Sequence, residues 1–124
     1  MTRALFLTLA VSLLLAPAAA LAKRAAPAEV PPVTDKGVKY VFPHFSREGG
    51  ETQVGGVVEA RDEKTDALLW RVRVYTTKTD PKLERDVQDV FLTSARLEGG
   101  KLVLTNEKNE TYELDLATHA VRKR

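Results

Sequence analysis

Two histidines, His44 and His119, and no cysteine limit the nucleophilic chemistry open to this chain. His44 and Ser46 are two apart, which on an extended strand puts both side chains on one face, and Glu48 continues the alternation. A hydroxyl beside an imidazole is the start of a serine hydrolase, which also needs an orienting acid and an oxyanion hole. The competing reading of the same residues is a polar loop. Asp62, Glu63 and Asp66 cluster oxygens of the kind an extracellular calcium site uses. They lack EF-hand spacing and a glycine at the turn, and they equally suit side chains that cap a β-turn. A transition metal wants three or four ligands, which two histidines far apart do not supply. Nothing selects one carboxylate pair for glycoside hydrolysis. Gly49-Gly50, Gly55-Gly56 and Gly99-Gly100 are isolated doublets, not a phosphate-binding loop, and no cofactor is implied. Arg71, Arg73 and Tyr75 alternate along one segment. They form a candidate contact face, since interfaces are enriched in Arg and Tyr, or an ordinary solvated face balanced by Glu59 and Arg61.

The start of the chain says where such chemistry would operate. Arg3 precedes an apolar run from Ala4 to Ala16, then Pro17 and Ala20-Leu21-Ala22. This is the layout of a secretory signal peptide over 1–22, cut after Ala22 or, as the lesser option, after Ala20. The run is shorter than the roughly 20 residues that cross a bilayer. Without cysteine there is neither a lipid-anchoring site after the cut nor a disulfide, so the mature domain must rest on its core alone. The 19 Lys and Arg face 17 Asp and Glu, and Arg3 leaves with the leader. The mature body is near neutrality, which implies neither nucleic acid nor an anionic membrane as partner. Arg122-Lys123-Arg124 suits contact with acidic lipid or polymer or, the favoured reading, a frayed, solvated tail, with a short edge strand able to begin at Val121.

The elements follow from alternation and turn chemistry. Residues 23–35 contain Pro27, Pro31 and Pro32 and read as an unstructured lead, with structure from Lys36. A strand is expected over Gly37 to Phe42 and another over Thr52 to Arg61, with Gly55-Gly56 marking a bulge or close backbone approach. Leu68 to Thr76 is the clearest strand, with Trp70, Val72 and Val74 inward. Pairing Ala60 with Trp70 sets Glu59 opposite Arg71, small against large and acid against base. Asp80-Pro81 opens an expected short helix over 81–88.

Gly99-Gly100 suits a two-residue hairpin pairing Leu97 with Leu102 and Ala95 with Leu104, with Phe91 on the same face. A three-residue loop at Glu107-Lys108-Asn109 pairs Leu104 with Tyr112 and Leu102 with Leu114, and only that register keeps one core face. The expectation is a mainly β domain over 36–124. It is a single antiparallel meander of about six strands, curled into a small barrel or sandwich.

Two stretches resemble a known repeat. Ala60-Arg61-Asp62-Glu63-Lys64-Thr65-Asp66-Ala67-Leu68-Leu69-Trp70 is similar to the A-x-D-x-x-T-G-x-x-L-W pattern of quinoprotein-type (PQQ-like) β-propellers. Gly100 to Thr105, with Tyr112 to Thr118, resembles the strand pair and Y-x-L-D-x-x-T end of that repeat. In that family the Asp and Thr brace the turn and the Trp packs between blades. Asp66 and His119 stand where the repeat carries glycine. A propeller needs at least about four blades of four strands, and this chain holds strands for one or two, so cofactor binding does not carry over.

The expected function is an exported, non-enzymatic β domain that binds a protein or cell-envelope component through a strand face or edge. The alternatives are a small exported hydrolase using His44 and Ser46 or a carboxylate pair, and a calcium-dependent scaffold on Asp62 and Asp66.

Overall fold

A computed structural model describes residues 25–45, 54–84 and 88–124. The expected signal peptide and the expected loop from Ser46 to Gly50 lie outside these residues. The described chain is mainly β: β1 (Val33–Asp35), β2 (Val38–Val41), β3 (Val57–Asp62), β4 (Leu68–Arg73), β5 (Leu92–Glu98), β6 (Lys101–Asn106), β7 (Thr111–Asp115) and β8 (Val121–Lys123). They form two four-stranded antiparallel sheets, ordered β1-β2-β3-β4 and β5-β6-β7-β8. The single meander of six strands is thus corrected to two meanders, and neither sheet closes into a barrel. No strand occupies the described part of 74–91, so β4 and β5 are not joined by a hairpin and pairing breaks there.

Three local expectations also change. The proline-rich lead is structured at its end, because Lys36 and Gly37, at φ 50° and 79°, make a two-residue turn that folds β1 back onto β2. The helix over 81–88 is absent among the described residues. The Gln88 amide donates to the carbonyls of Asp80, Leu83 and Glu84, and so takes up acceptors that helix amides would use. A register shift between Leu92 and Ser94 inverts the alternation of β5. Leu92, not Phe91, therefore joins the main core, and Phe91 packs against the rings of His44 and Phe45.

The registers drawn from side-chain matching are observed. Glu59 faces Arg71 and Ala60 faces Trp70. Leu97 faces Leu102, Ala95 faces Leu104, Leu102 faces Leu114 and Leu104 faces Tyr112. Asn109 supplies the left-handed residue of the β6–β7 loop at φ 60°. One apolar core lies between the sheets, built from Tyr40, Val58 and Ala60 on one side and Leu102, Leu104 and Leu114 on the other. Each fully buried leucine contributes about 2–3 kcal/mol. Trp70 ties the two sheets together at the rim of the core, 5.9 Å from the Tyr40 ring and 4.1 Å from the His119 ring, centroid to centroid.

The two sheets use one turn twice. Asp62 Oδ1 accepts from the amides of Lys64 and Thr65, and Asp115 Oδ1 accepts from those of Ala117 and Thr118, all at 2.8–3.0 Å. Asp66 and His119 take the same left-handed place at φ 61° and 64°. A further bond ties each turn to the neighbouring hairpin, from the Glu63 amide to the Gly37 carbonyl and from the Leu116 amide to the Gly100 carbonyl. The faces are opposed, however. Arg61, just before the first turn, lies outside with Glu59, whereas Leu114, just before the second, is in the core. The sheets therefore stack front to back; the second leaves a charged face outward, whereas the charged side of the first, with Glu59, Arg61 and Arg71, is largely covered.

Gly55 is the tightest point of the backbone. At φ 77°, a Cβ here would sit 2.7 Å from the Val90 carbonyl oxygen and 2.9 Å from a Phe91 ring carbon. Gly55→Ala is expected to destabilise the protein by well over about 1 kcal/mol, read as a lowered denaturation midpoint. An unchanged midpoint would refute the close approach.

Candidate functional site

The sequence candidates fare unequally. His44 is 5% exposed, its ring lies 4.3 Å from that of Phe91, and its Nε2 is 2.6 Å from the Pro27 carbonyl oxygen. That nitrogen is taken by a backbone carbonyl. Its proposed partners Ser46 and Glu48 lie outside the described residues. Asp62 and Asp66 do not converge on a common point. Asp62 caps its turn, and the two amide bonds hold its carboxyl below the ordinary range. Asp66 pairs with Lys39 Nζ at 2.7 Å, and that bond lowers its carboxyl in turn. Among the described residues, no three His, Asp or Glu side chains gather where a metal could sit.

Arg71, Arg73 and Tyr75 do not form one surface. Arg71 grips Glu59 Oε2 through Nε at 3.0 Å and through a terminal nitrogen at 2.6 Å, while Arg61 holds Oε1 at 3.2 Å. Side-chain exposure is 6% for Glu59 and 11% for Arg71, so this trio is internal structure of the first sheet. Burial pushes the Glu59 carboxyl up, but the hydrogen bonds and charges of Arg71 and Arg61 outweigh it and leave it below its ordinary value. Tyr75 lies beyond the end of β4. Its ring stacks at 5.2 Å on Tyr112 of the second sheet, and its hydroxyl donates to the Val90 carbonyl at 2.6 Å.

The outward face of the second sheet is different, and sequence reasoning missed it. The Arg122-Lys123-Arg124 end is not a frayed tail. β8 pairs with β7, and the Arg124 amide donates to the Thr111 carbonyl. Register places Arg96, Glu98, Lys101, Glu113 and Arg122 on one face, away from Leu102, Leu104 and Leu114. Glu113 sits at its centre: Arg124 Nε is 2.9 Å from one carboxylate oxygen, and Arg122 and Lys101 are 3.5 and 3.8 Å from the other. Arg124 also reaches Glu98 at 3.5 Å, and Arg96 binds Glu98 at 3.2 Å. The Arg124 bond, followed by the nearby cations, holds the Glu113 carboxyl below its ordinary value. A depression of about 160 Å³ opens among Lys101, Glu113, Asp115 and Arg122.

Four cations thus stand among three carboxylates, Glu98, Glu113 and Asp115, on an open face, where Arg96 is 64% and Arg122 78% exposed at the side chain. The only sequence signal was the basic triplet at the chain end. Arg96 and Lys101 join it through strand pairing alone.

No helix among the described residues is long and apolar enough to cross a membrane. Comparison with protein-family models and with curated proteins finds no match.

Proposed function

We propose that this chain is an exported, non-enzymatic β module that docks an acidic protein surface through the outward face of β5–β8. The observation that carries this reading is the exposed cations on that face, Arg96, Lys101, Arg122 and Arg124, which outnumber Glu98, Glu113 and Asp115 by one. The excess favours an acidic partner and speeds its approach. The interleaved carboxylates favour a partner with a fixed charge pattern, as a folded protein has, over a uniform polyanion that Glu98 and Glu113 would repel. Arginine suits such a role, because its planar fork recognises carboxylates with two bonds. Export rests on the leader at 1–22, and the doubled turn with Trp70 against His119 is in keeping with descent from a propeller-like repeat.

Arg96→Glu with Arg122→Glu tests the reading, since both side chains are exposed and neither enters the core. Crosslinked capture from the exported fraction of the producing cells should yield one saturable acidic partner. The double reversal should weaken that capture by about tenfold or more with only a small fall in melting temperature, the fall coming from a glutamate at position 122 facing Glu113 across the strands, and added salt should weaken the capture too. Undiminished capture by the reversed protein would contradict the assignment.

A further inference from the structure

A second, separate concavity lies at the seam between the two sheets. Its walls are the segment after β4 (Tyr75, Thr76, Lys78) and the β6–β7 turn with the start of β7 (Asn106, Lys108, Tyr112), and its volume is about 250 Å³. Three acceptor groups along these walls, on Asn106, Glu110 and Val90, are already engaged. Asn106, 1% exposed, accepts from the amides of Lys108 and Glu110 through Oδ1 and donates to Glu110 Oε1 at 3.2 Å. The other Glu110 oxygen binds Lys123 Nζ at 2.6 Å, and this pairing holds the Glu110 carboxyl below its ordinary value. The Val90 carbonyl is taken by the Tyr75 hydroxyl.

The donors, by contrast, are outside ion pairs and hydrogen bonds, although the Lys108 charge helps to lower the Glu110 carboxyl of the same cleft. Among the described residues, neither Lys78 nor Lys108 forms an ion pair, and the Tyr112 and Thr76 hydroxyls form no hydrogen bond. One ammonium comes from each wall. A cleft with one ammonium group outside ion pairs on each wall, and two hydroxyls that can donate, favours a ligand that is compact, negative and rich in acceptor oxygens. The stacked Tyr75 and Tyr112 rings give it a rigid side.

We infer that this seam cleft binds a small, multiply charged oxyanion, a phosphate- or carboxylate-bearing molecule bridged between Lys78 and Lys108. This site is distinct from the docking face, since Arg96, Arg122 and Arg124 do not line it.

Calorimetric titration of the purified protein with pyrophosphate and, separately, with citrate tests the inference and distinguishes the two anion classes. Saturable one-to-one binding of at least one of them is expected. Lys78→Ala with Lys108→Ala should weaken it at least about tenfold, and Tyr112→Phe, which keeps the ring stack, should weaken it several-fold. Arg96→Glu with Arg122→Glu should leave it unchanged. Absence of saturable binding of both anions would overturn the site. So would binding that survives loss of both lysines, and binding that vanishes with the arginine reversals would move it to the outer face. The lysines are surface groups, so their removal leaves the melting temperature of the free protein as a control for folding.

Discussion

Replacing Trp70 with alanine is expected to destabilise the protein by about 3 kcal/mol, the lower end of the range for deleting a large aromatic from a core. The lower end applies because Trp70 is half-buried. The loss still exceeds that of a typical surface change, because the indole touches both sheets. It lies against Tyr40 of its own sheet and, with rings tilted by 31°, 4.1 Å from His119 of the other. Aromatic pairs of this kind add about 0.5–1.5 kcal/mol each beyond area burial. The chain has no disulfide to limit the damage and one apolar core, so a change of this size takes a large share of a typical net stability of about 5–15 kcal/mol. Denaturant unfolding of Trp70→Ala and Trp70→Phe would measure it. The phenylalanine variant should recover part of the loss. An effect below about 1 kcal/mol would mean that the indole does not bridge the sheets.

Glu59→Ala is expected to cost about 3–5 kcal/mol, the range for removing one partner from a buried ion pair. Arg71 and Arg61 would be left facing each other, at 11% and 17% side-chain exposure, with no carboxylate between them. Acid should act in the same direction. The folded Glu59 carboxyl lies below its ordinary value, so its protonation state favours the folded protein. That contribution is complete above the unfolded value, about 4.3, and is lost as pH falls through the lower folded value. Glu113 and Asp115 are lowered too, the first by its Arg124 bond and the second by two turn amides, and both add to the same acid limb. Glu59→Gln should therefore show a smaller loss at neutral pH than Glu59→Ala and a flatter decline below pH about 4. A decline as steep as the parent's would place the acid sensitivity elsewhere.

Much of the pairing was legible because period-two alternation and turn length jointly leave few registers. Leu102 opposite Leu114 and Glu59 opposite Arg71 follow from which side chains must share a face. Three features were hidden, each for a physical reason. β1 is three residues long and follows Pro31-Pro32, so neither alternation nor composition marks it, and only the Lys36-Gly37 turn gives a sign. Phe91 changed faces through a bulge, which one strand's sequence does not announce. Tyr75 left the face of Arg71 because the strand ends at Arg73, after which alternation has no meaning.

The site was less legible than the fold for the same reason on a longer scale. The environment of His44 is set by Pro27, seventeen residues earlier, and by Phe91 far downstream. The cationic face collects Arg96 from one edge strand of the sheet and Arg122 from the other. In sequence these are an isolated arginine and part of a basic tail, and only the order β5-β6-β7-β8 makes them one surface.

The most direct test of that surface is site-specific photocrosslinking in the producing cells. A photoreactive residue at position 96 or 122 would be compared with one at position 39 or 73 on the opposite sheet. The account predicts one dominant crosslinked protein from positions 96 and 122, and none from positions 39 and 73. The same product from positions 39 and 73 alone, or no product from any of the four, would contradict it.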